Sequence, residues 1–236
     1  MGGRRACFED EGYFRETYAI TAERLAAIRR LPLVVLSAYM KRELLAAGIE
    51  AERVSVAPPF VHGLDPRAEP DGPPCVLFVG RLTVAKGVRD AVEARRMSGI
   101  DVPLVVAGTG PLRAELEQAG VEVLGWMGRE RLSAVYRRAR ALLLPSHRQE
   151  PFGIAGLEAS SLGVPVVAWE SGGIGEWHPG PLVRWGDVAA LARALREAVG
   201  TRAVAAPGFD RTSVTRRLIE VYEEVAVSAR TSVARA

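Results

Sequence analysis

The residues best able to do chemistry lie in one stretch, Ser146 to Leu162. It carries Glu150 in a loop and Glu158 in what reads as a short helix. The apolar run Ala141–Pro145 precedes it and a second run, Val164–Ala168, follows. Gly153 stands where the helix should begin, between Phe152 and Ile154. A strand that feeds a helix through a glycine aims the free N–H groups of the helix start at the strand's carboxyl end. Those donors and the helix dipole favour an anion, above all a phosphate. A carboxylate beside a phosphate would repel it. Glu158, about one and a half turns into the helix, therefore suits sugar or ribose hydroxyls better. The competing reading is a capped helix with solvated acids, because glutamate is common near helix starts.

A second group is cationic. Arg81 follows an apolar strand and Gly80, and Lys86 should open the next helix, with Gly87 behind it. Two such cations at the carboxyl edge of a sheet can reach one diphosphate, arginine as a fork and lysine as a point charge. The flanking glycines let a phosphate approach the backbone. A solvated basic pair is the alternative. Gly108-Thr109-Gly110 is weaker: it lacks the third glycine of a dinucleotide fingerprint, so a tight strand-to-helix turn is favoured. The backbone of Gly125-Trp126-Met127-Gly128 could pair with a base edge, with Trp126 or Met127 over the base. A packed aromatic explains Trp126 equally well. Gly172-Gly173-Ile174-Gly175-Glu176 offers a nest of backbone donors with a carboxylate close by. His62, His147 and His178 lie in loops without metal-ligand spacing and read as surface residues. No metal and no resident cofactor are expected.

The elements that must position these groups alternate. Apolar strands are expected at Cys75–Val79, Pro103–Ala107, Val121–Leu124, Ala141–Leu144 and Pro165–Ala168, with a short one at Leu182–Arg184. Helices are expected at about Lys86–Met97, up to Ala119, at Arg129–Arg138, after Gly153 and at Val188–Val199. This alternation means a parallel sheet with helices on both faces. Ligands bind such sheets at the carboxyl ends of the strands, where the glycines stand. Before it come a charged helix, a strand at Leu33–Ser37, a helix at Ala38–Ala47 capped by Ser37, and a strand at Arg53–Ala57. His62–Pro74, rich in Pro, Gly and Asp, reads as a linker. The expected division is 1–60 as a partial first unit, 61–74 as linker and 75–210 as the main domain. An amphipathic closing helix at 211–228 and a frayed tail at 229–236 complete it.

The 236 residues suffice for one large domain or one domain and part of another. With 31 basic against 28 acidic residues the charges are mixed rather than blocked, and aromatics make up only 6%. A nucleic-acid binder would show a basic stripe with interleaved aromatics, so none is expected. Weak peripheral contact with an anionic membrane face stays open. Two cysteines without metal spacing argue for a reducing compartment. With no apolar leader and no membrane-length run, the expected location is cytoplasmic.

Taken together and in order, several motifs are recognisable. They are Gly80-Arg81-Leu82 to Lys86-Gly87, Ala107 to Leu112, Pro145-Ser146 to Gly153, Leu157-Glu158-Ala159, Gly163 to Ala168, and Gly172-Gly173 with Glu176. The chain resembles the nucleotide-binding, carboxy-terminal half of the retaining GT-B glycosyltransferases of family 4. Glu150 and Glu158, with seven residues between them, match that family's paired glutamates. The resemblance covers Val34 to about Val227. It implies an α/β fold, a Rossmann-like parallel sheet with helices on both faces, plus a remnant of the amino-terminal domain. It implies that Arg81 and Lys86 bind the donor diphosphate beside Gly80 and Gly108, and that Glu158 holds the ribose. Glu150 would contact the transferred sugar. Backbone N–H groups at Phe152, Gly153 and Ile154 would contact sugar and phosphate, and Trp126 and Met127 would edge the base. Glu150, Arg81 and Lys86 would be the catalytic set of a metal-independent hexosyltransferase whose donor is a nucleoside-diphosphate sugar.

The departures are equally plain. Most of the amino-terminal domain, about 100 to 150 residues, has no counterpart here. The family's usual Ala-Met-Ala after the second glutamate is Ala159-Ser160-Ser161. Two functional readings follow: a donor-binding half that acts with a separate amino-terminal partner, or a non-catalytic nucleotide-sugar-binding module or inactive fragment. Self-association through the uncovered face is a further expectation. A different sugar-nucleotide enzyme, such as an epimerase, fits the sheet but not the paired glutamates.

Overall fold

A computed structural model describes residues 11–29 and 31–233. Helix α1 spans Glu11–Ile28, strand β1 Leu33–Val35, helix α2 Ala38–Ala46 and strand β2 Val54–Val56. The main unit runs β3 (Cys75–Val79), α3 (Val88–Ser98), β4 (Leu104–Ala107), α4 (Arg113–Gln118), β5 (Glu122–Gly125) and α5 (Arg129–Arg138). It continues with β6 (Ala139–Leu144), α6 (Ile154–Ser161), β7 (Val166–Ala168) and α7 (Val188–Ala198), and α8 (Arg211–Val233) follows.

The inner strands are apolar without interruption because both of their faces are covered. Cys75 to Phe78, Leu104 to Ala107 and Ala141 to Leu144 are all buried. Successive side chains then feed two cores. Val76, Phe78, Val106 and Leu143 meet Val88 and Ala91 of α3 and Leu191 and Leu195 of α7. Cys75, Leu77, Val105 and Leu142 meet Val135 and Tyr136 of α5 and Ala159 of α6. A buried leucine, valine or phenylalanine contributes about 1.5–3 kcal/mol, so this two-sided burial holds the sheet.

The five strands pair in parallel in the order β5-β4-β3-β6-β7. The chain therefore walks outward from β3 in one direction and from β6 in the other. The reversal lies between β3 and β6, where the crevice of an open parallel sheet forms. The Arg81–Lys86 segment leaves β3 and the Glu150–Gly153 segment leaves β6.

Several local expectations need correction. Lys86 does not open a helix. It closes a 3-10 turn, Val84–Lys86, and Gly87 then reverses the chain at φ 72° before α3 starts at Val88. A Cβ at Gly87 would lie 1.7 Å from the Pro145 carbonyl oxygen, so that turn sits directly on the end of the β6 segment. The short strand at Leu182–Arg184 is reduced to one bridge, Trp169 to Val183. Residues 229–233, expected to fray, continue α8. Residues 1–10, where the charged helix was expected to begin, and residues 234–236 lie outside the described residues.

The first unit is small. β1 and β2 form a two-stranded parallel sheet with α2 against it. Ser37 caps α2 as expected, its Oγ accepting from the Met40 N–H at 3.1 Å. The linker is laid against the main domain rather than free of it. The Asp65 N–H donates to Ser133 Oγ at 3.0 Å, and Leu64 packs on the second core. Arg217 of α8 reaches back to the Val56 carbonyl at 3.3 Å.

Candidate functional site

Between β3 and β6 the two loops meet. Lys86 Nζ donates to Glu150 Oε1 at 2.6 Å, across 64 residues of chain. The Glu150 side chain is 8% exposed and that of Lys86 28%, so the pair is largely out of water. A carboxylate is stable there only with a close cation. The loop that carries it is braced from below. The Glu150 N–H donates to Ser171 Oγ at 3.2 Å, and its carbonyl accepts from the Gly173 N–H at 2.9 Å.

Gly153 starts α6 at φ 78°, ψ 50°, a left-handed conformation that glycine adopts without strain. A Cβ there would come within 3.0 Å of Ile174. The N–H groups of Ile154 and Ala155 head the helix, with no preceding turn to accept from them. The Phe152 side chain is not in the crevice: it is buried with Leu144, Leu157 and Trp177. Its carbonyl accepts from Trp177 Nε1 at 2.6 Å.

Glu158, also buried, is held at both oxygens. Arg129 Nη1 donates to Oε1. The Tyr136 hydroxyl lies 3.0 Å from Oε2 and 3.1 Å from the Ala155 carbonyl oxygen, two acceptors for one proton. Burial first, and then the neighbouring Glu158 charge, hold the Tyr136 phenol well above its ordinary range, so it remains a neutral donor. Sequence reasoning missed both partners. Their seven-residue spacing on α5 was the signal, since it puts them on one helix face.

Arg81 is exposed at the rim and enters no ion pair among the described residues. Gly80 and Gly108 stack on neighbouring strand ends, where a Cβ on Gly108 would lie 1.8 Å from the Gly80 carbonyl oxygen. Close strand packing thus accounts for Gly108-Thr109-Gly110. Trp126 is 80% exposed, so it is not the packed aromatic that was one alternative, whereas Met127 leans on the second core.

The Gly172-Gly173 turn is not an open nest. The Gly172 N–H donates to Gln149 Oε1 at 2.6 Å, and Gly173 is spent on Glu150. The Glu176 carboxylate faces away from it and accepts the Ala38 and Tyr39 N–H groups at 2.9 and 2.8 Å. His62 and His147 are exposed, as expected, and His178 is half-buried. His147 Nε2 meets Asp90 Oδ2, and His178 Nε2 lies 2.9 Å from the Val166 carbonyl oxygen. Among the described residues no group of three or more His, Cys, Asp or Glu side chains could hold a metal ion, and no helix is long and apolar enough to cross a membrane.

A five-stranded parallel sheet whose order reverses between β3 and β6 defines a doubly wound α/β fold with its crevice at that reversal. Residues 73–200 match the family described as glycosyl transferases group 1, and the chain belongs to that family. It is similar to the 2-deoxystreptamine glucosyltransferase of Streptomyces kanamyceticus, at 34% identity over 63% of this chain and 42% of that one. A glycogen synthase of Mycobacterium tuberculosis is 37% identical over 57% of this chain and 36% of its own. The chain thus spans about four-tenths of the length of these relatives. Among solved structures, Anabaena HepE in complex with UDP-glucose superposes with a TM-score of 0.69 at 20% identity, covering 86% of this chain and 66% of that one. The apo form of the lipopolysaccharide outer core galactosyltransferase WaaB gives 0.65 at 22%, covering 80% and 60%. The fold is that of GT-B glycosyltransferases.

Proposed function

We propose that this chain is the donor-binding half of a retaining GT-B glycosyltransferase of family 4, and that it binds a nucleoside-diphosphate sugar between β3 and β6. The observation that carries this reading is the meeting of Lys86 and Glu150 at the order reversal, beside the start of α6. Arg81, Lys86 and the N–H groups of α6 face the position of a diphosphate. Glu158 takes the ribose hydroxyls, Glu150 the sugar, and the Trp126–Met127 backbone the base. The HepE complex with UDP-glucose supports the ligand class by analogy of fold.

In the proposed reaction the glycosidic bond to the diphosphate breaks first. Charge gathers on the leaving oxygen as the sugar approaches an oxocarbenium state. Arg81, Lys86 and the helix start stabilise that charge, which lowers the barrier without a metal. Glu150 holds the sugar while the acceptor hydroxyl attacks from the face the diphosphate left and passes its proton to the departing diphosphate oxygen, so configuration is retained.

The acceptor side belongs to a further domain, supplied by a partner or by more of the same polypeptide. The shorter span relative to the relatives and the two-stranded first sheet both favour this over a self-sufficient enzyme. The proposed division is 1–60, linker 61–74, and donor domain 75–210 with α8 closing it. Calorimetric titration with UDP and GDP tests the site. The chain binds one of them, and Arg81→Ala weakens binding by about 1.5–3 kcal/mol, the range of one charge-assisted contact. Equal affinity in the variant removes Arg81 from the site. Robust sugar transfer by the isolated chain would contradict the half-site reading.

A further inference from the structure

We infer that Glu176 is a positioning residue that couples the docking of the first unit to the donor loop. The inference rests on the donor-site reading above and adds a long-range contact to it. Glu176 ends the 3-10 turn Ile174–Glu176, which follows Gly172-Gly173. Its Oε2 accepts from the Ala38 N–H at 2.9 Å and its Oε1 from the Tyr39 N–H at 2.8 Å. These are the first two N–H groups of α2, 138 and 137 residues away in sequence. Ser37 Oγ takes the third, that of Met40, and the Ser37 carbonyl takes that of Lys41. The start of α2 is therefore capped half by its own serine and half by a charge from the other unit. A carboxylate suits that place, because the helix dipole is positive there.

The same turn grips the donor loop on its other side. Gly173 N–H donates to the Glu150 carbonyl at 2.9 Å, and Gly172 N–H to Gln149 Oε1 at 2.6 Å. Ser171 Oγ accepts from the Glu150 N–H and donates to the Arg148 carbonyl at 3.0 Å. There is no slack in the stack. A Cβ at Gly172 would lie 2.0 Å from the Glu150 carbonyl oxygen, and one at Gly173 would lie 2.9 Å from the Ser37 Cβ. Residues 171–176 thus form a wedge between Ser37–Tyr39 and Arg148–Glu150. From Glu150 the path continues to Lys86 at 2.6 Å. Release of α2 from Glu176 frees the wedge, and with it the backbone that aims Glu150. The two states are α2 docked and α2 released. By linkage, a ligand that steadies Glu150 must also favour the docked state.

The test uses the full chain and measures both ends. Hydrogen exchange reports protection of the Ala38 and Tyr39 amides with and without nucleotide, and calorimetry reports nucleotide affinity. UDP or GDP raises protection of both amides in the unsubstituted chain. Glu176→Ala abolishes that response and weakens nucleotide binding by about five- to tenfold, the lower range for coupled sites. Ser37→Ala, which removes a cap from the same helix but leaves the wedge in place, lowers thermal stability and leaves nucleotide affinity unchanged. If Glu176→Ala binds nucleotide as tightly as the unsubstituted chain, or if Ser37→Ala weakens it equally, the coupling is overturned and Glu176 is only a helix cap. If the unsubstituted chain binds neither UDP nor GDP, the donor-site reading falls, and this inference with it.

Discussion

Each carboxylate in the crevice is matched to a cation of the same chain. That pairing has an energetic consequence that a solvated acid would not have. Lys86→Met leaves the Glu150 charge unpaired in a place with little water, and removal of one partner from a buried pair costs about 3–5 kcal/mol. Part of that is relieved here because Lys86 is still 28% exposed, so about 2–3 kcal/mol is expected. Adding Glu150→Gln removes the stranded charge. The double variant should regain most of the loss in urea denaturation, and strict additivity of the two single effects would show that the pair is not coupled. The placing of Glu150 in the loop after an apolar strand and of Glu158 in the helix that follows was legible in the sequence. Their partners were not: Lys86 was expected on a diphosphate, and it pairs with Glu150. Arg129 and Tyr136 reach Glu158 across the packing of α5 on α6. No spacing within the Ser146–Leu162 stretch contains that information.

At the scale of elements, the strand-helix alternation and the glycine positions were readable, because inner strands of a parallel sheet must be apolar on both faces. The ends of elements were less readable. Lys86 was expected at a helix start, and it lies instead in a 3-10 turn ended by Gly87. The reason is the tight approach of that turn to Pro145, a contact between elements that neither segment announces alone. Two glycines separate conformation from space. Gly87 and Gly99 both have positive φ, 72° and 67°. A Cβ meets the Pro145 backbone at Gly87 and nothing within 4 Å at Gly99. Gly99→Ala should cost about 1–2 kcal/mol, the left-handed penalty alone. Gly87→Ala should cost roughly 1–3 kcal/mol more, since the backbone must move. Thermal melts of the two variants decide this, and equal melting temperatures would remove the steric part. Glu176 shows the limit from the other side. It was expected to join a donor nest, and its carboxylate is used by a helix 138 residues earlier.

The whole molecule has an asymmetric surface. The five-stranded sheet is covered on both faces. At the two-stranded one Val34 is exposed at 46%, and Leu31 and Leu36, on either side of β1, at 52% and 37%. Short parallel sheets do not stand alone well, and an uncovered apolar edge invites another strand. The isolated chain should therefore associate as its concentration rises. Val34→Lys should shift sedimentation toward the monomer, because charge on an edge strand blocks pairing. A chain that is monomeric at every concentration would show that this edge needs no cover. The irregular character of the Pro- and Gly-rich segment at 62–74 was visible in the sequence. How firmly that segment is held was not, because Asp65 and Leu64 bind residues far along the chain.

On the proposed donor-site reading, the ion pairs of the crevice also decide what kind of ligand it accepts. Lys86 and Arg129 are already neutralised by Glu150 and Glu158, so an incoming ion meets surplus attraction only from Arg81 and the free N–H groups of Ile154 and Ala155. Inorganic pyrophosphate could win Lys86 only by abandoning a buried carboxylate. A molecule that brings hydroxyls along with its charge can compensate that acid in the same step. Entry is then a swap of partners, and the crevice discriminates against bare anions by demanding both halves of the exchange at once.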